Sequence, residues 1–147
     1  MTIKEQLNAD VKEAMRARDK ELLNVLRLIA AAVKQVEVDE RIEVTDERML
    51  VILDKMSKQR KESIAQFEKA QRDDLIAKEQ FELDIIARYL PEPLSASEIE
   101  TLVNEAIAST GAVTMADMGK VMGQLKGVLQ GRADMSHVST LIKARLQ

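Results

Sequence analysis

The chain reads as an all-α protein, with an N-terminal unit of about four helices and a C-terminal three-helix bundle joined by a proline hinge. Three observations carry that reading. Of 147 residues, 46% are hydrophobic, 32% charged and only 2% aromatic, a mixture of Leu, Ile, Val, Ala, Met, Glu, Lys and Arg that suits helices better than strands. Apolar residues recur at three- and four-residue intervals along most of the length, the period of a helix with one buried face. Both prolines fall in one stretch, Leu90-Pro91-Glu92-Pro93-Leu94. Proline lacks the amide donor and pushes its predecessor out of the α region, so the stretch marks a boundary. The expected domains are 1–90, a linker at 91–94, and 95–147.

Thr2 and Glu5 form a T-x-x-E capping box, and Ile3, Leu7, Val11, Ala14 and Met15 share one face of a first helix. After a charged break at 16–20, Leu22, Val25, Leu26, Ile29, Val33 and Val36 carry a second helix that ends near Asp39. Its wide apolar arc predicts the most buried helix of the unit. Residues 40–44 have no period. Thr45 then stands as an N-cap, with Asp46 and Glu47 in the first turn where the helix dipole favours negative charge. Met49, Leu53, Met56, Ile64 and Phe67 carry the third helix. Its polar stretch 58–63 reads as a solvated face. A break near Gln71 and Arg72 leads to the fourth, marked by Leu75, Ile76, Ile85, Ile86, Tyr89 and Leu90.

Beyond the prolines, Ser95 with Glu98 forms a second capping box, followed by Ile99, Leu102, Val103, Ala106 and Ile107 and closed by Gly111. Thr114 with Asp117 forms a third. It opens a helix expected over 115–129, and Asp134 or Ser136 caps a last one through Val138, Leu141, Ile142 and Leu146. Four of the five glycines lie here at intervals of four: Gly119, Gly123, Gly127 and Gly131. The first three draw a stripe without side chains, each costing about 1 kcal/mol of helix propensity relative to alanine. Compensation calls for a second backbone lying close: these are expected close-packing glycines against a neighbouring helix, or alternatively against a sugar-phosphate strand. Gly131 reads as the left-handed residue that follows a helix end.

The chain has no cysteine, which excludes disulfides, thiolate zinc sites and cysteine nucleophiles and fits a reducing compartment. No apolar run near the start is long enough for a secretory signal or a membrane span, so a cytoplasmic protein without membrane contact is expected. No metal, cofactor or catalytic residue is expected either. His137 is the sole histidine and reads as a surface residue, and neither a nucleophile elbow nor a phosphate-binding loop between a strand and a helix is present. Carboxylate pairs such as Asp73 with Asp74 and Glu79 with Glu82 are spaced like exposed helix charges.

Net charge is −3, yet residues 111–147 hold five basic against two acidic residues, a local +3. That asymmetry points to an anionic partner for the C-terminal segment. Lys120, Lys126 and Arg132 could track a nucleic-acid backbone, with Arg132 beside the amides that open the last helix, where a phosphate could sit. The other reading has Asp134 capping that helix and Arg132 paired with a carboxylate.

Leu23-Asn24-Val25-Leu26-Arg27-Leu28-Ile29, Gln59-Arg60-Lys61-Glu62-Ser63-Ile64, Tyr89-Leu90-Pro91, Asp117-Met118-Gly119-Lys120-Val121-Met122-Gly123 and Gly131-Arg132-Ala133-Asp134 resemble the YqeY family over essentially the whole chain. Gln71 departs from it, standing where the family usually turns on glycine. The C-terminal unit is similar to the tail domain of the B subunit of glutamine-dependent tRNA amidotransferases (GatB), which helps to hold tRNA while the chemistry occurs elsewhere. The resemblance implies a tRNA-binding or amidotransferase-associated accessory module without its own active site. Its tRNA-facing residues would be Lys120, Lys126 and Arg132, with Lys143 and Arg145 as further candidates. Partners would be tRNA or a protein of the translation machinery. The alternatives are a protein-interaction module whose glycine stripe receives a partner helix, and a carbon–nitrogen ligase with glutamine as amido donor, the activity associated with the family.

Overall fold

Side-chain caps open five of the seven α-helices among the described residues. In the computed structural model, which describes residues 1–146, the Glu5 amide donates to the Thr2 hydroxyl and the Thr2 amide to the Glu5 carboxylate, at 3.1 and 3.0 Å. That box opens α1, Ile3–Ala17. Asp19 caps α2, Lys20–Glu40, through the Leu22 amide, and Thr45 caps α3, Asp46–Lys69, through the Arg48 amide. α4 follows as Asp73–Ala87. Each such cap is worth about 1 kcal/mol. The described residues hold seven α-helices and no strand, so the chain is all-α.

Three of these helices stop on a residue that is not glycine yet takes a left-handed backbone: Arg18 after α1 (φ 56°), Arg41 after α2 (φ 54°) and Gln71 after α3 (φ 55°). The break at Gln71 is therefore real, and glutamine adopts there the conformation that glycine adopts at no steric cost.

The chain forms two units, each with its own core. In the first, residues 1–90, α1 packs along α2 and α3 along α4, while α2 also meets α3 and α4. Leu7, Leu26, Ile29, Met49, Leu53, Ile85 and Ile86 are almost wholly buried. Each such side chain contributes about 1.5–3 kcal/mol relative to exposure. α2 buries Val25, Leu26, Ile29 and Val33 but leaves Leu28 and Val38 exposed, so its apolar arc is wider than the core beneath it uses.

The second unit, residues 91–146, contains α5, Ala96–Thr110, α6, Met118–Leu129, and α7, Met135–Arg145, around Val103, Val121, Leu129, Val138 and Ile142. Ser95 and Glu98 close their capping box on α5, and Gly111 (φ 67°) ends that helix. The helix expected over 115–129 is split: Met115–Asp117 forms a single 3-10 turn before α6. The Asp117 carboxylate draws the turn tight by accepting from the amides of Val113 and Thr114. After α6, Gly131 takes φ 78°, the left-handed geometry its position called for.

Candidate nucleic-acid interface

Successive residues of an α-helix step about 100° around its axis. Val121, Leu125 and Leu129 of α6 are buried, and Gly119, Gly123 and Gly127 lie on a different arc, all exposed. A methyl group at any of the three would meet no atom within 4 Å outside its own helix backbone. The expectation that a neighbouring helix of this chain packs on the stripe is thereby corrected: the core takes the large apolar side chains of α6, and the glycine row is open. Lys120 and Lys126 stand three residues before and after Gly123, about 60° to either side of it. Both are exposed; Lys120 lies 3.9 Å from Asp117.

The remaining candidate cations do different work. The Arg132 guanidinium donates through Nε to the Glu92 carbonyl at 3.2 Å, and the Leu94 amide donates to the Arg132 carbonyl at 2.9 Å, so this residue straps the segment before α5 to the α6–α7 turn. Arg145 bonds Glu100 at 2.8 Å and Asn104 at 2.6 Å, both on α5, and the Leu141 carbonyl at 3.2 Å. Lys143 is exposed on α7. Of the five, Lys120 and Lys126 share one helix face, Lys143 stands on another helix, and the two arginines are committed to contacts within their own unit.

The expected phosphate position at the start of α7 is also corrected. Asp134 accepts from the Ser136 amide at 3.0 Å, so the chain supplies its own anion there, and a second would be repelled. Nor is the whole unit cationic: from Pro91 onward five basic residues face six acidic ones, because α5 and the segment before it bring Glu92, Glu98, Glu100 and Glu105. The Ser95 amide first, then the Ser95 hydroxyl and the Arg132 charge, hold the Glu98 carboxyl below its ordinary range. The local excess of positive charge belongs to the segment that holds α6 and α7, not to the unit.

In the first unit, sequence spacing missed two polar clusters. Glu82 is buried, not an exposed helix charge, and its carboxylate lies 3.7 Å from Arg60 Nε, with side chains 11% and 16% exposed. The stretch 58–63 is thus not wholly a solvated face. Beside it on α3, the Ser57 hydroxyl and Arg60 Nε are buried without a hydrogen-bond partner among the described residues. Elsewhere, the Tyr89 hydroxyl donates to Asp10 at the rim of a hollow of about 200 Å³ lined also by Glu13, Asp19 and Arg88. Helical period identifies which side chains face inward on one helix; it does not say which inward face meets which, and that is why neither pairing was legible.

All these features define an all-helical protein of two units whose glycine-lined, lysine-flanked helix is presented to solvent. Comparison with known proteins places it further: the YqeY family, described as Yqey-like protein, matches residues 4–146, and the chain belongs to that family. It is 34% identical over 141 residues to "Altered inheritance of mitochondria protein 41, mitochondrial" of Pyrenophora tritici-repentis, covering 94% of this chain and 77% of that protein. The protein of the same name from Saccharomyces cerevisiae is 32% identical over 125 residues, covering 81% of this chain and 68% of the relative. The one from Eremothecium gossypii is 38% identical over 94 residues, 63% of this chain and 51% of the relative.

These names correct the expectation of a cytoplasmic protein, since the curated relatives are mitochondrial by name. The inference failed for a physical reason: a cysteine-free helical composition suits a mitochondrial interior as well as a cytosol. No helix among the described residues is long and apolar enough to cross a membrane.

Proposed function

We propose that the protein is an accessory RNA-binding module, with tRNA as its ligand, that performs no chemistry of its own and serves an amide-transferring or other tRNA-handling partner. The observation that carries this reading is the open glycine row of α6 between Lys120 and Lys126. A row without side chains lets a sugar-phosphate strand approach the helix backbone closely, and the two lysines bracket it with positive charge. Helix propensity sacrificed at three exposed positions, with nothing of this chain packed against them, is accounted for by a ligand that needs the space. The resemblance of the C-terminal sequence motifs to those of a tRNA-holding tail domain implies the same partner.

Titration of the full chain with tRNA at two salt concentrations tests the proposal. Phosphate contacts make affinity fall steeply with salt, each neutralised phosphate of a single strand adding about 0.7 to the logarithmic slope. Lys120→Ala with Lys126→Ala should lower that slope by about 1–2 and leave the helical content unchanged. Absence of binding at low salt rejects the reading, and amide formation on mischarged tRNA by the purified protein alone rejects its non-catalytic part.

A further inference from the structure

The outward face of α2 carries a pattern that its own core does not use. Asn24, Leu28, Ala31, Gln35 and Val38 follow one another at intervals of four, three, four and three residues, and all are exposed, Leu28 at 46% and Val38 at 61%. That alternation is the seam of a heptad repeat, the register in which one helix receives another along its length. Beside the seam, Lys20, Arg27 and Lys34 recur every seven residues, each step about 10.5 Å along the axis, and Arg41 at the C-cap follows at the same interval. All four are exposed, and no ion pair engages any of them among the described residues. The buried arc, with Val25, Leu26, Ile29 and Val33, occupies the opposite side of the helix. The flank of the seam away from the cations turns into that core through Val25 and the half-buried Ala32.

We infer that α2 is a docking face for an acidic amphipathic helix of another protein, apolar residues set in its seam and carboxylates set along the Lys20, Arg27, Lys34 row. Charge complementarity selects this occupant. A second copy of the chain laid antiparallel would oppose cation row to cation row, and laid parallel would offer that row only Val25, Ala32 and Asp39. A nucleic-acid strand would use the cations but has no use for Leu28, Ala31 and Val38 in the row beside them. An anionic membrane surface would be met by a face with asparagine and glutamine along its centre and no aromatic residue. The site lies on the first unit and is independent of the α6 reading.

The test uses the full chain and a labelled 21-residue probe peptide with leucine and isoleucine at its seam positions and glutamate at both flanks. The expected result is saturable binding at low salt, with amide chemical-shift changes confined to α2 and its cap. Arg27→Glu with Lys34→Glu should weaken it at least tenfold and accept instead the same peptide carrying lysine at the flanks. Leu28→Asp with Val38→Asp should weaken it similarly, and circular dichroism should show all variants folded. The proposal is overturned if the glutamate peptide does not bind, if shifts fall elsewhere, or if the apolar variants bind as the parent does. It is equally overturned if tRNA or anionic phospholipid vesicles shift the α2 amides in preference to the peptide, or if sedimentation shows a self-associated chain that Leu28→Asp disperses.

Discussion

Tyr89 and Asp10 are joined across 79 residues of sequence by a 2.5 Å hydrogen bond from the phenol to the carboxylate. The bond ties the end of the first unit to α1, and burial together with the Asp10 charge pushes the phenol well above its ordinary range. Removing the donor leaves a half-buried carboxylate short of a partner, so Tyr89→Phe should cost about 1–2 kcal/mol, read from the urea midpoint of the first unit. Because the folded value is raised, the stabilisation is complete below the ordinary tyrosine value of about 10 and is lost as pH climbs beyond it. Wild type should therefore lose stability above that pH, and Tyr89→Phe should lose less.

Glu37 accepts from Lys4 Nζ at 2.6 Å and from the Val44 amide at 3.0 Å, fastening α1 and the α2–α3 loop to α2. Those two bonds, the lysine first, hold its carboxyl below the usual range. A depressed folded value gives stability that is present above the ordinary carboxylate value of about 4.3 and lost as pH falls through the folded one. Glu37→Gln should flatten the acid limb of the midpoint against pH below about 4.3, and an unchanged acid limb would count against the assignment.

The Arg60–Glu82 pair should be worth more broken than replaced. Glu82→Ala leaves a mostly buried guanidinium without its counter-charge and should cost about 2–3 kcal/mol. Arg60→Met with Glu82→Leu removes both charges and should cost less than the single change. Thermal or urea midpoints of the wild type, Glu82→Ala and the double variant decide it.

Gly123→Ala should stabilise the second unit by about 0.5–1 kcal/mol, since the site is helical, exposed and clear of neighbours. The same substitution should weaken tRNA binding if the glycine row is where the strand lies. A loss of stability instead would mean that something of this chain packs there.

Gln71→Gly should raise the first unit's free energy of unfolding by about 1 kcal/mol, relieving a left-handed backbone at φ 55°. Amide exchange at the α3–α4 turn should slow in parallel.

What the amino-acid order determined alone was local. The capping boxes at Thr2 and Ser95, the breaks near Arg18 and Gln71 and the inward faces of the helices all depend on residues within a turn or two of each other, and side-chain chemistry at that range is readable without knowing the rest of the fold. The membership of the YqeY family was legible for a like reason, in short motifs. Packing decided what lay between distant residues. It turned Glu82 from a surface charge into half of an interior pair, spent Arg145 and Arg132 on contacts within their own unit, and left the glycines of α6 facing solvent. A helical period specifies a direction from one axis, whereas burial and pairing depend on what another helix brings to that place.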